Sequence, residues 1–203
     1  MDKRKEEILS RKLPQIKTYQ IIYADPPWEY KSSDCLAKNS CLSGKYKKPY
    51  EYIHLKDLKN LPIQNIADKN CLLFMWSTSP KLNEAIDLGK VWGFKYSTVV
   101  FVWDKQRTLP GSYTNTQVEL CLIFKKGKIP TPRGSRKERQ FLSEKRREHS
   151  RKPDTIRDRI VKMFPTQNKI ELFARQKTKG WTCMGSEISG KDIKQELEEL
   201  NEN

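Results

Sequence analysis

The amino-acid sequence predicts an α/β fold with a mostly parallel β-sheet and helices packed on its faces. Short apolar runs alternate along the chain with amphipathic stretches, a pattern typical of repeated strand and helix units. The length of 203 residues suits one compact domain, and a hydrophobic content of 36% is enough to build one core. We therefore expect a single domain over residues 19–203, preceded by an N-terminal extension over residues 1–18.

Six runs rich in Ile, Leu, Val or aromatic residues are the predicted strands: residues 20–24, 71–77, 97–103, 118–124, 169–173 and 181–185. Apolar residues near helical spacing predict helices over residues 80–91 and 153–164. The spacing of Ile193, Leu197 and Leu200 predicts a further helix close to the C-terminus. Three tryptophans on apolar runs are predicted core residues: Trp76, Trp92 and Trp103.

Three long stretches, residues 29–50, 104–116 and 126–152, carry no regular pattern and are predicted to be functional loops. Residues 125–152 hold twelve Lys and Arg against three Glu, so +9 of the chain's net charge of +15 lies there. Neutralising phosphates releases counterions, so this clustering predicts binding to nucleic acid. The alternative is that the charges form a solvated surface of a lysine-rich protein.

Cysteine and histidine usage argues against a disulfide framework and against a metal site. The five cysteines are odd in number and scattered, and the two histidines, His54 and His149, are far apart. No apolar run approaches the roughly 20 residues that span a bilayer, and no apolar stretch follows the charged N-terminus. We expect a metal-free protein of the cytoplasm, or of the nucleus in a eukaryote, that is not secreted.

The strongest chemical signal is Asp25-Pro26-Pro27-Trp28, which follows directly on the first predicted strand. Open α/β sheets bind their ligands at the carboxyl ends of strands, so the position suits a catalytic loop. An aromatic amine is a poor nucleophile because its lone pair is delocalised into the ring. The Asp25 carboxylate and the Pro26 carbonyl can each accept one amine N–H and so turn that lone pair toward an electrophilic methyl group.

The other residues of this loop support the same chemistry. Consecutive prolines restrict the backbone and pre-aim the Pro26 carbonyl. Trp28 offers a flat face on which an extruded base can stack. The structural alternative is a turn that ends a strand, since Asp-Pro and Pro-Pro are common in turns.

Six sequence blocks resemble the DPPW-type, or MT-A70-like, adenine methyltransferases. They are IIYADPPWEY, LLFMWSTSP, GFKYSTVVFVWDK, VELCLIFKKGK, REHSRKPDTIRDRI, and IELFARQ followed by GWTCMGSE. This family contains the catalytic subunit of the eukaryotic messenger-RNA adenosine methyltransferase and bacterial and phage DNA enzymes, and the compact length resembles the latter branch. The resemblance implies a Rossmann-like class I methyltransferase fold in permuted order, with the catalytic block before the cofactor-binding block, and S-adenosyl-L-methionine as cofactor.

The resemblance also implies which residues hold the cofactor. Besides Asp25 they are Lys152 for the cofactor carboxylate, Glu171 and Arg175 for the ribose region, Lys177 and Thr178 for the methionine end, and Ser186 and Glu187. Ser186 departs from the family, which usually carries an amide there, and Lys177-Thr178 replaces the His-Asn of the messenger-RNA enzyme. No GxGxxG loop is present, and the corresponding place reads Phe173-Ala174-Arg175-Gln176-Lys177.

Substrate contacts are predicted at Trp28, at Tyr50 and Glu119, which align near the family's substrate pocket, and at Arg147 and Arg151 in the basic stretch. Tyr50 and Glu119 are equally compatible with structural roles. The resulting hypothesis is transfer of a methyl group to the N6 amine of adenine in DNA. RNA is the alternative substrate, and a non-catalytic nucleic-acid-binding partner subunit is the alternative class. Family pairing predicts a homodimer or a heterodimer with a related subunit.

Overall fold

A single seven-stranded sheet organises the protein, for which the computed structural model describes residues 17–30, 52–110, 113–147 and 151–202. The strand order is β5-β3-β4-β2-β1-β6-β7. The strands are β1 (Tyr19–Ala24), β2 (Ala67–Ser77), β3 (Lys95–Leu109), β4 (Thr116–Lys126), β5 (Phe141–Ser143), β6 (Lys169–Leu172) and β7 (Thr182–Met184). Among these strands β4 alone runs antiparallel to its neighbours, so the predicted Rossmann-like α/β fold is confirmed.

Six helices accompany the sheet in the described ranges. They are α1 (Leu55–Lys59), α2 (Ile63–Ile66), α3 (Leu82–Val91), α4 (Asp154–Met163), α5 (Ser186–Ser189) and α6 (Ile193–Glu202), with a short 3-10 turn at Ser79–Lys81. The helices predicted over residues 80–91, 153–164 and from residue 193 correspond to α3, α4 and α6. No helix in these ranges is long and apolar enough to cross a membrane.

Strand β1 is an interior strand of the sheet, and both of its faces are covered. Ile22 and Ala24 belong to one core cluster, with apolar residues of α1, α2, α3 and α6, whereas Ile21 and Tyr23 belong to a second cluster with α4. Successive side chains of a strand point to opposite faces, so an uninterrupted apolar run is what a strand covered on both sides requires.

The three predicted core tryptophans are buried, which confirms their assignment. Burial of an indole requires a partner for its N–H group, and each has one. Trp76 donates to the Tyr23 hydroxyl at 2.7 Å, Trp92 to the Leu58 carbonyl at 2.8 Å, and Trp103 to the Glu144 carbonyl at 2.8 Å. The last bond ties the chain after β5 to the sheet, close to the start of α4.

Two predicted loops contain strand structure, which corrects the sequence reading. Residues 104–109 continue β3, because Leu109 pairs with Thr116 and the hairpin extends beyond the apolar part of the strand. Within residues 126–152, β5 pairs in parallel with residues 102–104. Residues 31–50, most of the first predicted loop, lie outside the described residues. Helices α1, α2 and α5 were not predicted, because four or five residues are too few for a periodic signal.

Candidate active site

The Asp25-Pro26-Pro27-Trp28 loop leaves the sheet at the carboxyl end of β1, between the ends of β2 and β6. Ala24 is in register with Met75 of β2 and with Leu172 of β6. Three parallel strands therefore end together, and the residues that follow them meet at one edge of the sheet. This edge is where the predicted catalytic loop and the predicted cofactor residues converge.

Backbone hydrogen bonds fix the shape of the loop. The Trp28 N–H donates to the Pro26 carbonyl at 2.9 Å, and the Ile53 N–H donates to the Pro27 carbonyl at 3.1 Å. A carbonyl oxygen has two lone pairs, so the Pro26 carbonyl keeps one acceptor position when the turn has formed. The turn and the two fixed proline rings thus aim this carbonyl in one direction.

Trp28, predicted as a stacking face for a base, lies against the core. The indole is only 6% exposed, and its N–H donates to the Trp76 carbonyl at 3.1 Å. Trp28 also forms an isolated parallel bridge with Ile53. In this arrangement the ring anchors the Asp25-Pro26-Pro27-Trp28 loop to β2 and to the core, and its stacking on a base stays a prediction.

A chain of alternating charges begins at Asp25. Lys152 donates to Asp25 at 2.7 Å and lies 3.2 Å from a carboxylate oxygen of Glu119, whose other oxygen accepts from Lys105 at 3.2 Å. Glu119 reaches the site because β4 is antiparallel: Leu120 pairs with Ser77 at the end of β2. The sequence predicted Asp25, Glu119 and Lys152 as site residues, but it did not identify Lys105.

Burial and pairing determine the charges in this chain. Burial raises the pKa of Asp25 above its ordinary value, and Lys152 opposes that shift. For Glu119 burial also opposes ionisation, but Lys152 and Lys105 outweigh it and hold the pKa below its ordinary value. Burial disfavours the cationic form of Lys152, yet Asp25 and Glu119 outweigh it and raise the lysine pKa. Lys152 is therefore a cation at neutral pH.

Lys152 owes its position to the start of α4. Pro153 caps this helix with extended backbone angles, and Asp154 is its first residue. Lys152 is 9% exposed, which excludes the alternative of a solvated lysine in a basic loop. The N-terminal amides of α4 add positive potential beside this lysine.

Glu171, the third residue of β6, is held by a residue that the sequence reading missed. Arg157 of α4 donates to both Glu171 carboxylate oxygens, at 2.7 and 2.8 Å, and also to Asp154. Asp154 in turn accepts from Arg147 at 2.9 Å and from Arg151 at 3.2 Å. These two arginines, predicted to bind substrate, here surround the first residue of α4.

The chain after β6 turns sharply without a glycine. Phe173 adopts a positive φ of 60°, a strained conformation for an aromatic residue. The Ala174 N–H then donates to the Met184 carbonyl at 2.7 Å, which brings residues 174–178 against the end of β7. A Cβ atom on Gly185 would clash with the Ala174 backbone, so close approach explains this glycine.

The remaining predicted cofactor residues lie around this turn. Arg175 pairs with Glu187 of α5 at 3.5 Å, and Ser186 begins that helix with an exposed side chain. Lys177 is exposed. The Thr178 N–H donates to the Cys183 sulfur at 3.3 Å. The hydroxyl oxygen of Thr178 is buried and has no hydrogen-bond partner among the described residues.

The structure thus brings together Asp25, Glu119, Lys152 and Glu171 with the 173–187 region. Tyr50 lies outside the described residues, so its predicted role stays a prediction. Within the described residues, no group of three or more His, Cys, Asp and Glu side chains is arranged to hold a metal ion.

Known proteins are similar in sequence to this chain over most of its length. A profile of the MT-A70 family matches residues 19–187. A type II methyltransferase, M.MunI, from Mycoplasma sp is 46% identical over 198 residues, covering 91% of this chain and 85% of that protein. An MT-A70-like N(6)-adenosine-methyltransferase of Arabidopsis thaliana is 24% identical over 91% of this chain.

The eukaryotic relatives are much longer proteins. The human N(6)-adenosine-methyltransferase catalytic subunit METTL3 is 24% identical over 85% of this chain, which spans 28% of that protein. The chain spans 26% of the length of the Arabidopsis relative. The six blocks and the catalytic loop predicted an MT-A70-like methyltransferase, and the profile match confirms it: the chain belongs to the MT-A70 family.

Proposed function

We propose that the protein is an S-adenosylmethionine-dependent methyltransferase that acts on the N6 amine of adenine in DNA. The observation that carries this proposal is the catalytic loop at the carboxyl end of β1, in which Asp25 pairs with the buried cation of Lys152 at 2.7 Å. A turn that merely ended a strand would not require a buried lysine held by a carboxylate, since burying a charge is costly.

The residues at this edge fit the charges and hydroxyl groups of S-adenosylmethionine. Lys152 and the amides of the α4 N-terminus suit the carboxylate of its methionine portion, and Glu171 at the end of β6 suits the ribose hydroxyls. Thr178 offers a buried hydroxyl that lacks a protein partner. Arg175 and Glu187 lie on the adjoining turn and helix.

When bound, the cofactor supplies an electrophilic methyl group. The chain's own part is to position the adenine amine, with one N–H donated to the Asp25 carboxylate and the other to the Pro26 carbonyl. Lys152 keeps a positive charge beside Asp25 and so favours its ionised, hydrogen-bond-accepting form. The proton lost from the amine passes to Asp25 or to water.

The basic stretch between β4 and α4 supports nucleic acid as the substrate. Arg136, Lys137, Arg139, Lys145 and Arg147 are all exposed along it. Arg147 pairs with Asp154 at the start of α4, two residues after Lys152, so this part of the stretch can neutralise phosphates of the strand that carries the target base. We propose that Arg147 and Arg151 contact that backbone next to α4.

DNA is favoured over RNA by the 46% identity to a type II methyltransferase, since that enzyme class acts on DNA. RNA remains the second candidate because several relatives at 24–25% identity are named N(6)-adenosine-methyltransferases. The intact Asp25-Pro26-Pro27-Trp28 loop and its ion pair with the buried Lys152 favour an active enzyme over a non-catalytic partner subunit.

The substrate is tested by incubating the chain with tritiated-methyl S-adenosylmethionine and matched DNA and RNA oligonucleotides, single-stranded and duplex. We expect incorporation into DNA that exceeds incorporation into the matched RNA. Preferential labelling of RNA would overturn the choice of DNA while keeping the enzyme class. No labelling of either polymer, with cofactor binding absent in calorimetry, would overturn the enzyme proposal.

A further inference from the structure

Arg157 is a buried cation to which the chemistry described so far assigns no part. Arg157 lies on α4 and is 7% exposed. Its side chain is directed at β6. Nη1 reaches both oxygens of Glu171, and Nη2 reaches Asp154. One guanidinium group therefore joins the end of β6 to the first residue of α4, which directly follows Lys152 and Pro153.

The surroundings of Glu171 make this contact consequential. Asp154 on α4 and Asp25 after β1 both repel its negative charge, and the Tyr23 hydroxyl on β1 and the Cys183 thiol on β7 face the same space. Burial raises the pKa of Glu171 even though Arg157 opposes the shift. Among these facing groups Arg157 alone is a cation. Without it, the carboxyl group would keep its proton to a higher pH.

We propose that Arg157 is a positioning residue, which holds the Glu171 carboxylate as the hydrogen-bond acceptor for the ribose hydroxyls of the cofactor. This inference rests on the proposed function. Because the two Arg157 bonds to Glu171 come from one nitrogen, they fix the carboxylate in position and leave its outer lone pairs free of the guanidinium. The Asp154 contact sets the guanidinium against the first residue of α4, which keeps Nη1 directed at Glu171.

The proposal predicts a specific effect on cofactor affinity and on its pH dependence. Arg157→Gln should weaken binding of S-adenosylmethionine by about tenfold to a hundredfold at pH 7, as expected for loss of a charged hydrogen-bond partner. The loss should diminish as the pH rises toward 9, because Glu171 then ionises without Arg157. Arg157→Lys keeps the cation, and we expect it to suppress the added pH dependence although it restores affinity only partly.

A double-mutant cycle separates positioning from general stability. Calorimetric titrations of S-adenosylmethionine would be compared for the wild type, Arg157→Gln, Glu171→Gln and the double variant between pH 6 and 9. In the Glu171→Gln background, Arg157→Gln should weaken binding by less than about twofold, since no carboxylate remains to be positioned. Arg159→Gln is the matched control, because this arginine of the same helix donates to the carbonyls of Arg139 and Phe141 instead.

The outcomes distinguish this inference from the function on which it rests. Losses that add in the double variant, or a loss that does not change with pH, would refute the positioning role. If Arg157→Gln does not fold, Arg157→Lys decides: an affinity and pH profile equal to those of the wild type would refute a role for the guanidinium that joins Glu171 to Asp154 through two nitrogens. A wild-type chain that does not bind S-adenosylmethionine at all would overturn the proposed function and the inference together.

Discussion

Replacing Asp25 by alanine is expected to reduce methyl transfer by about a thousandfold, the scale of losing a preorganised polar group aimed at a transition state. The variant removes the carboxylate that accepts the amine N–H, while the Pro26 carbonyl remains held by the Trp28 N–H. Affinity for nucleic acid should change little, because the phosphate contacts are assigned to the basic stretch. Asp25→Asn keeps the size of the side chain but loses the charge, and we expect a loss of similar size.

Single-turnover methyl transfer at saturating cofactor measures this effect, and filter binding of the same oligonucleotide measures affinity. Asp158→Ala is the control, since Asp158 is an exposed acid on α4 and should leave both quantities unchanged. Activity of Asp25→Ala within about tenfold of the wild type would rule out the assigned role, because a positioned proton acceptor contributes roughly a hundredfold or more.

Replacing Lys152 by methionine is expected to affect both binding and stability. Asp25 would lose the cation at 2.7 Å, and Glu119 would lose one of its two lysine partners in the described part of the chain. Breaking a buried ion pair from one side costs about 3–5 kcal/mol of unfolding free energy. Affinity for S-adenosylmethionine should fall by about a hundredfold, since a charge-assisted contact to the cofactor carboxylate is lost as well.

The stability loss of this variant should depend on pH in a defined direction. With Lys152 gone, the pKa of Asp25 rises further in the folded state and stays ordinary in the unfolded chain. The folded variant then binds a proton that the unfolded chain does not, so its stability relative to the wild type recovers as the pH falls from 7 toward 5. Urea denaturation at several pH values measures this trend.

Lys162→Met is the matched control for Lys152→Met, because Lys162 is an exposed lysine near the end of α4. The double variant Lys152→Met with Asp25→Asn should regain part of the lost stability, since one buried charge no longer lacks a partner. A Lys152→Met chain with wild-type cofactor affinity would show that Lys152 serves only the fold.

Sequence reasoning succeeded where the signal is local. The apolar run before Asp25 identified an interior strand, because a strand covered on both faces must be apolar throughout. The motif then placed the catalytic loop at the strand end, and the block Arg151-Lys152-Pro153-Asp154 identified the start of α4. These predictions needed no knowledge of which segments meet.

The features that sequence reasoning missed depend on contacts between distant segments. Lys105 pairs with Glu119 across the β3–β4 hairpin, and nothing in either segment identifies the partner. Arg157 is one of three cations on α4, and nothing in the sequence distinguishes it as the partner of Glu171. The extension of β3 to Leu109 likewise comes from pairing with β4, not from hydrophobicity.

Two local expectations also needed the structure. Trp28 was predicted to stack on a base because the sequence does not show whether an aromatic residue in a loop is buried. In the structure its indole is buried and donates to the Trp76 carbonyl. Phe173 takes a left-handed turn where sequence rules expect glycine. Such strain persists where surrounding contacts enforce it, and here the Ala174 to Met184 hydrogen bond does so.

The most direct test of the central claim is to identify the methylated nucleoside. The chain would be incubated with S-adenosylmethionine carrying a deuterated methyl group and with duplex DNA, and the DNA would be digested to nucleosides for mass spectrometry. We predict labelled N6-methyldeoxyadenosine with the wild type and none above background with Asp25→Ala. Label on the exocyclic amine of cytosine, or equal N6-methyladenine from both chains, would contradict the account.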